Sequence, residues 1–334
     1  MSSIDLFRIA RVLIVAAGLT SSPASAGPPS LSLPIACTIG PGCQIQNYAD
    51  DDAGAGARDY ACGGLTYDGH KGTDIRLRDV AAITRGVKVL AAADGVVKAV
   101  RDDMADISIR AAGPASVTGR ECGNGVVIDH GEGWVTQYCH MRRGSIRVHS
   151  GAQVTRGDML GTVGLSGFTE FAHVHFEVRN GAKIINPFTG VALGAAACGS
   201  SSGTLWDASA AAALAYKQAA FLAGGFSAAP VTMSDMERGP PAAPISTSSA
   251  LVAYARVLGV RAGDVETLTV TGPGGRAFAA KGPEPLAKAK VQWLSFAGRK
   301  LTSAAWTPGT YSATYSLERQ GKKLIDERFT IQLR

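Results

Sequence analysis

The chain has 334 residues, and 33 Lys and Arg against 27 Asp and Glu give it a formal net charge of +6. A chain of this length, once processed, is predicted to form two domains. The positive balance favours anionic surfaces only weakly. No run of Lys and Arg interleaved with aromatic residues occurs, so nucleic acid is not an expected partner.

The N-terminus has the order of features of a secretory signal peptide. Arg8 and Arg11 form a short basic region, residues 12–19 are apolar, and residues 24–26 (Ala-Ser-Ala) form a small-residue cleavage site. The apolar run is too short to span a bilayer, and no later segment is long enough. We therefore predict cleavage after Ala26 and a periplasmic or secreted protein with no membrane span.

In an oxidising compartment the six cysteines would form three disulfides, with many connectivities open. One pair is supported locally, because a hairpin formed by residues 126–130 and 134–140 would bring Cys122 towards Cys139. A zinc–cysteine cluster is the competing interpretation, which the absence of a C-x-x-C pair disfavours. All six cysteines precede residue 199, so the cross-links belong to the N-terminal half. The six are Cys37, Cys43, Cys62, Cys122, Cys139 and Cys198.

Up to about Cys198 the chain is rich in Gly, Val and Thr and has little helical periodicity. Short apolar stretches separated by glycines predict antiparallel strands and tight turns. The predicted strands cover residues 87–91, 95–100, 125–128, 135–139 and 173–178.

The composition changes after Cys198. Residues 207–222 are rich in alanine and predict one helix that starts at an Asp cap. Residues 224–249 are rich in Gly, Pro, Ala and Ser and predict a linker with little structure. Alternating residues 311–317 and 329–333 flank a Gln-Gly turn and predict a hairpin within a small β-sandwich of about 90 residues. This region has no cluster of His, Cys or acidic residues, so we expect it to bind or space rather than catalyse.

Two histidine patterns lie in the N-terminal half. His70 and Asp74 are four residues apart, and flanking glycines at 69 and 72 argue against a helix. His70 would therefore lie at a loop end and Asp74 on a strand that follows. Further along, His173, His175 and Glu177 alternate on one face of a strand, while the intervening apolar residues pack into the core.

These side chains form a donor set suited to zinc. Two imidazoles and one carboxylate leave a positive charge and a fourth position for water. Zn²⁺ lowers the pKa of such a water toward ~7. A scissile carbonyl also needs hydrogen-bond donors and a group that handles the proton. His140, at the end of the strand over 135–139, and one member of the 173/175 pair suit these tasks. Spacing alone does not decide which member of the pair binds the metal.

The sequence resembles the M23 peptidases, the lysostaphin-type or LytM-domain zinc endopeptidases that act on bacterial cell-wall peptides. The markers are H-x-x-x-D (His70 to Asp74), a later H-x-H (His173 to His175) and a single histidine between them, His140. The resemblance implies that His70, Asp74 and His175 bind one Zn²⁺. It also implies that His140 and His173 are catalytic.

The resemblance covers roughly residues 64–190 and sets the expected architecture. We expect a mainly β protein, with an antiparallel-sheet LytM-like peptidase domain followed by a small Ig-like C-terminal β-sandwich. The expected divisions are a signal peptide (1–26), a Cys-rich segment (27–63), the peptidase domain (64–200), an Ala-rich helix and linker (201–249) and the sandwich (250–334).

The resemblance implies an exported zinc metalloendopeptidase that hydrolyses peptide bonds of peptidoglycan stems or cross-bridges. The alternative is a non-catalytic LytM-type regulator of other cell-wall hydrolases, against which the intact ligands and catalytic histidines argue. The C-terminal sandwich is expected to contact the wall or another protein.

Three points stay open at the sequence level. The Cys-rich segment either braces the sheet, which we favour, or shields the substrate groove. Glu177 either orients a ligand or is an ordinary exposed strand residue. Residues 168–172 (Phe-Thr-Glu-Phe-Ala) replace the small residues and Pro that are usual in this family. This loop borders the groove and bears on specificity.

Overall fold

Antiparallel β-strands form most of the regular structure in the computed structural model, which describes residues 27–195 and 197–334. The predicted signal peptide, residues 1–26, lies outside the described residues. No helix within the described ranges is long and apolar enough to cross a membrane. The mainly β architecture predicted from the sequence is confirmed.

The N-terminal half is built on one large sheet. The strands of this half are β1 (Cys43–Asn47), β2 (Thr73–Leu77), β3 (Lys88–Leu90), β4 (Gly95–Arg101), β5 (Asn124–Asp129), β6 (Trp134–Met141), β7 (Gln153–Val154), β8 (Met159–Thr162), β9 (His173–Asn180) and β10 (Lys183–Ile185). The sheet runs in the order β1-β2-β9-β6-β5-β4-β7, with β10 also paired to β9, while β3 and β8 pair separately. Helix α1 (Ile109–Ala112) and two 3₁₀ helices (Val80–Arg85 and Pro114–Val117) lie in connections.

Strand β9 is central because β2 and β6 pair with its two edges. Its apolar residues Val174, Phe176 and Val178 are at most 1% exposed and pack into the main hydrophobic core. The period of two along a strand then places His173 and His175 on the opposite face. All five strands predicted from the sequence are present: β4, β5, β6 and β9 are one to three residues longer than predicted, and β3 is two residues shorter.

Three disulfides cross-link this half. They join Cys37 to Cys43, Cys62 to Cys198 and Cys122 to Cys139. The predicted Cys122–Cys139 bridge is confirmed. Because no cysteine is left free, the competing zinc–cysteine cluster is excluded.

The helix predicted over residues 207–222 is wrong in its length. Asp207 does cap a helix, but α2 (Ala208–Ala213) ends after six residues. Strand β11 (Ala220–Ser227) and helix α3 (Met233–Arg238) follow, where the sequence predicted a helix end and a linker with little structure. Leu222 and Phe226 are buried where β11 pairs with the strand that follows α3. Tertiary pairing therefore overrides the helix propensity of alanine.

The C-terminal half is a sandwich of two antiparallel sheets. After β11 its strands are β12 (Ala250–Val260), β13 (Val265–Thr271), β14 (Ala277–Pro285), β15 (Lys290–Lys300), β16 (Gly309–Arg319) and β17 (Lys322–Leu333), with a short 3₁₀ helix at Pro273–Gly275. One sheet has the order β11-β12-β15 and the other β14-β13-β16-β17. The predicted β16–β17 hairpin is confirmed. Its turn residues Gln320 and Gly321 both have positive φ, of 50° and 75°, as a tight hairpin turn requires.

Candidate metal centre

The three predicted ligands meet at the edge where β2 pairs with β9. Asp74 and His175 are directly opposite each other in this pairing, and His70 lies in the turn that leads into β2. A Cβ at Gly72 would lie 2.7 Å from Nε2 of His175 and 2.6 Å from the Phe176 carbonyl oxygen. Only glycine therefore lets this turn approach β9 closely enough for His70 to reach the other two ligands.

The donor atoms have the spacing of a tetrahedral metal site. His70 Nε2 lies 3.2 Å from Asp74 Oδ1 and 3.2 Å from His175 Nδ1, and His175 Nδ1 lies 2.8 Å from Asp74 Oδ1. Donors held about 2.0–2.1 Å from a tetrahedral Zn²⁺ are about 3.3 Å apart. The three side chains are only 1%, 3% and 14% exposed, in the order His70, Asp74, His175. The donor set therefore fits zinc in both chemistry and size.

Strand β1 and the residue after it hold two of the three ligands from behind. Nδ1 of His70 lies 2.6 Å from the carbonyl oxygen of Tyr48, so it donates there and leaves the Nε2 lone pair free. Asn47 Nδ2 donates to Asp74 Oδ2 at 2.8 Å, which leaves Oδ1 facing the histidines. The Cys-rich segment thus braces the sheet. Neither contact was predicted from the sequence. The only indication was a polar residue, Asn47, and the strand that contains it, β1, was not predicted.

Replacing Asn47 by alanine is expected to weaken zinc binding roughly 10- to 100-fold, the usual effect of losing a contact behind a metal ligand. The matched control is Gln44→Ala, since Gln44 is buried on the same strand but bonds to Gly40 and Phe221 instead. Competition with a chromophoric chelator measures both affinities. Equal affinities for the two variants would contradict a role for Asn47 in holding Asp74.

Glu177 is a buried residue, 4% exposed, rather than an ordinary surface residue of β9. Its Oε2 faces Nε2 of His175 at 3.8 Å, and its Oε1 pairs with Arg179. Burial alone would raise the pKa of Glu177, but contacts with His175 and Arg179 hold it below its usual value. The carboxylate therefore favours a proton on Nε2 of His175, which leaves Nδ1 for the metal.

The charges of the cluster are coupled. Burial alone would raise the pKa of Asp74, but His70 and His173 hold it well below its usual value. Burial alone would lower the pKa of His175, yet Asp74 and Glu177 raise it to about 9. Without metal, His175 therefore carries a proton near neutral pH and balances Asp74. A divalent cation would replace that proton.

The raised pKa of His175 predicts a pH dependence of stability. Its pKa is about 6.5 in an unfolded chain and about 9 in the metal-free fold. The protonated form thus stabilises the metal-free fold fully below about pH 6.5, and this contribution is lost as the pH rises to about 9. Zinc binding should strengthen over the same interval, because zinc displaces the proton.

Urea unfolding at pH 6.5 and 9 tests this dependence. The chelator-treated protein should lose unfolding free energy over the interval, and the zinc-saturated protein should not. The control His175→Asn lacks the titrating group and should show a smaller pH slope without metal. An unchanged slope in this variant would refute the assignment.

His140 lies at the end of β6, beside the three candidate ligands. Its φ of 60° is unusual for a residue other than glycine, a type of strain that tends to occur at functional sites. Nδ1–H of His140 donates to the carbonyl oxygen of Ser166 at 2.8 Å. Burial, together with His173 and His175, holds the pKa of His140 well below its usual value. His140 is therefore a neutral imidazole whose Nε2 is free to accept a proton.

His173 completes the cluster. Its ring centroid lies 4.6 Å from that of His140, and its Nε2 lies 3.3 Å from Asp74 Oδ1. Nδ1 lies 2.9 Å from the Phe171 carbonyl oxygen and 3.2 Å from Thr169 Oγ1. The structure therefore brings all five predicted site residues together, and the residues before β9 orient His173.

Comparisons with known proteins agree with this cluster. Residues 68–187 match the family model described as Peptidase family M23. The cell division protein DipM of Caulobacter vibrioides is 40% identical over 57 residues, which cover 17% of this chain and 9% of that protein. A protein of Buchnera aphidicola described as an uncharacterized metalloprotease is 30% identical over 118 residues, which cover 35% of this chain and 25% of that protein. The matches thus span a quarter or less of these relatives.

Among solved structures, one similar chain is the catalytic domain of the prophage-encoded M23 protein EnpA from Enterococcus faecalis. It is 23% identical, with a TM-score of 0.32, and the alignment covers 45% of this chain and 93% of that one. The family match spans the turn with His70, strand β2, His140 and strand β9. Through residues 68–187, this chain is therefore similar to peptidase family M23.

Proposed function

We propose that the chain is an exported zinc metalloendopeptidase that hydrolyses peptide bonds in peptidoglycan stems or cross-bridges. The observation that carries the proposal is the convergence of His70 Nε2, Asp74 Oδ1 and His175 Nδ1 within 4.8 Å of one another. His140 and His173 lie beside this set, with one ring nitrogen of each held by a backbone carbonyl. A structural zinc site would have no need of two further oriented imidazoles.

In this proposal His70, Asp74 and His175 hold the zinc. Bound zinc would supply a Lewis acid for the scissile carbonyl and would lower the pKa of a water molecule. Because His140 is neutral and its Nδ1–H is fixed on Ser166, its Nε2 can take up the proton that the attacking water loses as its oxygen bonds to the scissile carbonyl carbon. Once protonated, the same atom can donate this proton, either in a hydrogen bond to the carbonyl oxygen or to the departing amine.

His173 is oriented in the same way as His140. Its Nδ1 is held by Phe171, and its Nε2 points towards the metal cluster. The two imidazole rings lie side by side, with centroids 4.6 Å apart. One can therefore bind the carbonyl oxygen while the other passes a proton to the departing amine. Which of them performs which task is decided by the direction from which the peptide enters.

The location and the substrate class have separate support. Three disulfides are typical of proteins that fold in an oxidising compartment, which agrees with the signal peptide predicted for residues 1–26. Peptidoglycan as substrate is supported by the match of residues 68–187 to the M23 family model and by the likeness of the motifs to lysostaphin-type enzymes. We propose that the C-terminal sandwich contacts the wall or a partner protein.

Cleavage of purified peptidoglycan tests this function. The full mature chain, loaded with zinc, is incubated with sacculi, and mass spectrometry identifies the released muropeptides. We expect new free amino termini at one class of peptide bond, loss of activity on chelation and its recovery when zinc is restored. A protein that binds zinc but cuts no wall peptide, yet stimulates another wall hydrolase, would instead be a regulator.

A further inference from the structure

Two buried arginines lie on opposite sides of one glutamate. Arg76 belongs to β2 of the peptidase half and Arg256 to β12 of the sandwich, and both residues are 0% exposed. Glu237 of helix α3 bonds to Arg76 Nη2 through Oε2 at 2.7 Å and pairs with Arg256 through Oε1. Buried guanidinium groups are costly unless they are paired, so the carboxylate links the two halves of the chain.

The remaining donors of both arginines are also occupied. Nη1 of Arg256 donates to the carbonyl oxygens of Arg78 at 2.9 Å and Met236 at 3.1 Å. Nε of Arg76 donates to the carbonyl oxygen of Leu77 at 2.9 Å. The bonds of Arg256 join β12 to α3 and to the residue after β2. Because Glu237 of α3 bonds to Arg76, the position of the Arg76 guanidinium depends on the sandwich as well as on its own strand.

Arg76 is connected to His173 through the side chain of Phe171. Its guanidinium carbon lies 4.8 Å from the centroid of the Phe171 ring. That ring is stacked on the imidazole of His173, with centroids 4.3 Å apart and an interplanar angle of 26°. The carbonyl oxygen of Phe171 accepts the Nδ1–H bond of His173. Phe171 therefore contacts the imidazole through both its ring and its backbone.

We propose that Glu237 is a positioning residue for His173, through which the C-terminal sandwich sets the orientation of this imidazole. Glu237 fixes Arg76, Arg76 fixes the Phe171 ring, and Phe171 fixes the plane and the free nitrogen of His173. The inference rests on the proposed function for its effect on catalysis. The sandwich is then part of the active enzyme, in addition to any contact it makes with the wall.

The test compares three variants of the full mature chain. Glu237→Gln removes the shared charge and keeps the side-chain shape, and Phe171→Leu removes the stacked ring but leaves both ion pairs intact. The control Asp264→Asn breaks a different buried pair, since Arg319 Nη2 bonds to Asp264 Oδ2 at 2.7 Å within the sandwich, away from His173. All three are assayed on a short wall peptide.

We expect Glu237→Gln and Phe171→Leu each to lower kcat between about twofold and thirtyfold, the range typical of coupling through packed side chains. KM and zinc content should stay near wild-type values, and Asp264→Asn should keep the wild-type kcat. The double variant should lose less than the product of the two single effects, because both act on the same ring.

A second readout needs no catalysis. The Hε1 and Hδ2 resonances of His173 sense the ring current of Phe171, so their chemical shifts in the metal-free protein should move in Glu237→Gln and Phe171→Leu. They should not move in Asp264→Asn. If Glu237→Gln does not fold, Glu237→Asp keeps the charge but shortens the reach to both arginines, and it should shift the same resonances.

Unchanged His173 shifts and an unchanged kcat in folded Glu237 variants would overturn the inference. Multiplicative losses in the double variant would also contradict it. A wild-type chain that cleaves no peptide would refute the proposed function instead. In that case the His173 shifts alone would decide whether the contact between the halves orients the imidazole.

Discussion

Replacing His175 by alanine is expected to abolish stoichiometric zinc binding and hydrolysis of peptidoglycan peptides. The change removes one of three donors, Nδ1 at 2.8 Å from Asp74 Oδ1, and with it one of the histidines that stabilise the buried carboxylate. The loss of affinity should exceed the roughly hundredfold that is typical of losing a contact behind a ligand. Metal analysis of the dialysed protein and peptide assays measure the two effects.

The control is His149→Ala, since His149 is exposed and lies outside the cluster. It should retain about one zinc and full activity. One outcome would contradict the assignment of His175 as the zinc ligand. If His175→Ala kept its metal while His173→Ala lost it, His173 would be the ligand and His175 the catalytic residue. His173 Nε2 is 3.3 Å from Asp74 Oδ1, so this exchange is a real structural alternative and the pair of variants decides it.

The His140→Ala variant should keep its zinc and lose about 10²- to 10⁴-fold in kcat, the contribution expected of a positioned acid or base. His140 touches none of the three candidate ligands through a hydrogen bond. Its Nδ1 is held by Ser166, and its backbone amide donates to the Cys122 carbonyl oxygen at 2.8 Å. Its removal therefore leaves the donor set in place and takes away an imidazole next to the metal.

His130→Ala is the matched control for this variant. His130 is partly buried and, like His140, bonds to a backbone carbonyl, that of Asp94 at 2.6 Å, but it lies outside the cluster. It should lose some stability and keep its kcat. If His140→Ala cleaved peptide as fast as wild type, the site would be a zinc-stabilised binding module or would depend on His173 alone.

The candidate site was largely predictable because its chemistry is carried by short-range patterns. The H-x-H pattern lies on a strand whose alternating residues Val174, Phe176 and Val178 are buried, so the period of two determines the face on which the histidines lie. His70 and Asp74 are close enough in sequence that one turn orients both. The splitting of roles between His173 and His175 came from family resemblance, since both imidazoles face Asp74.

The contacts that hold these ligands were not predictable in the same way. Asn47 meets Asp74 only because β1 pairs with β2, and nothing in either segment specifies that register by itself. The Arg76–Glu237–Arg256 link joins three segments that are up to 180 positions apart in the chain. A polar residue in an isolated segment is read as surface until the partner that buries it is known.

By itself the sequence determined the donor chemistry, the β character of both halves, the Cys122–Cys139 bridge and the β16–β17 hairpin. These follow from residue type and from spacing within one or two neighbouring elements. Only the tertiary structure decided that residues 220–227 form a strand of the sandwich, that β1 braces the ligands and that Glu237 links the two halves. The physical reason is that strand pairing and the burial of charge are settled by partners distant in the chain, whose contacts outweigh local propensity.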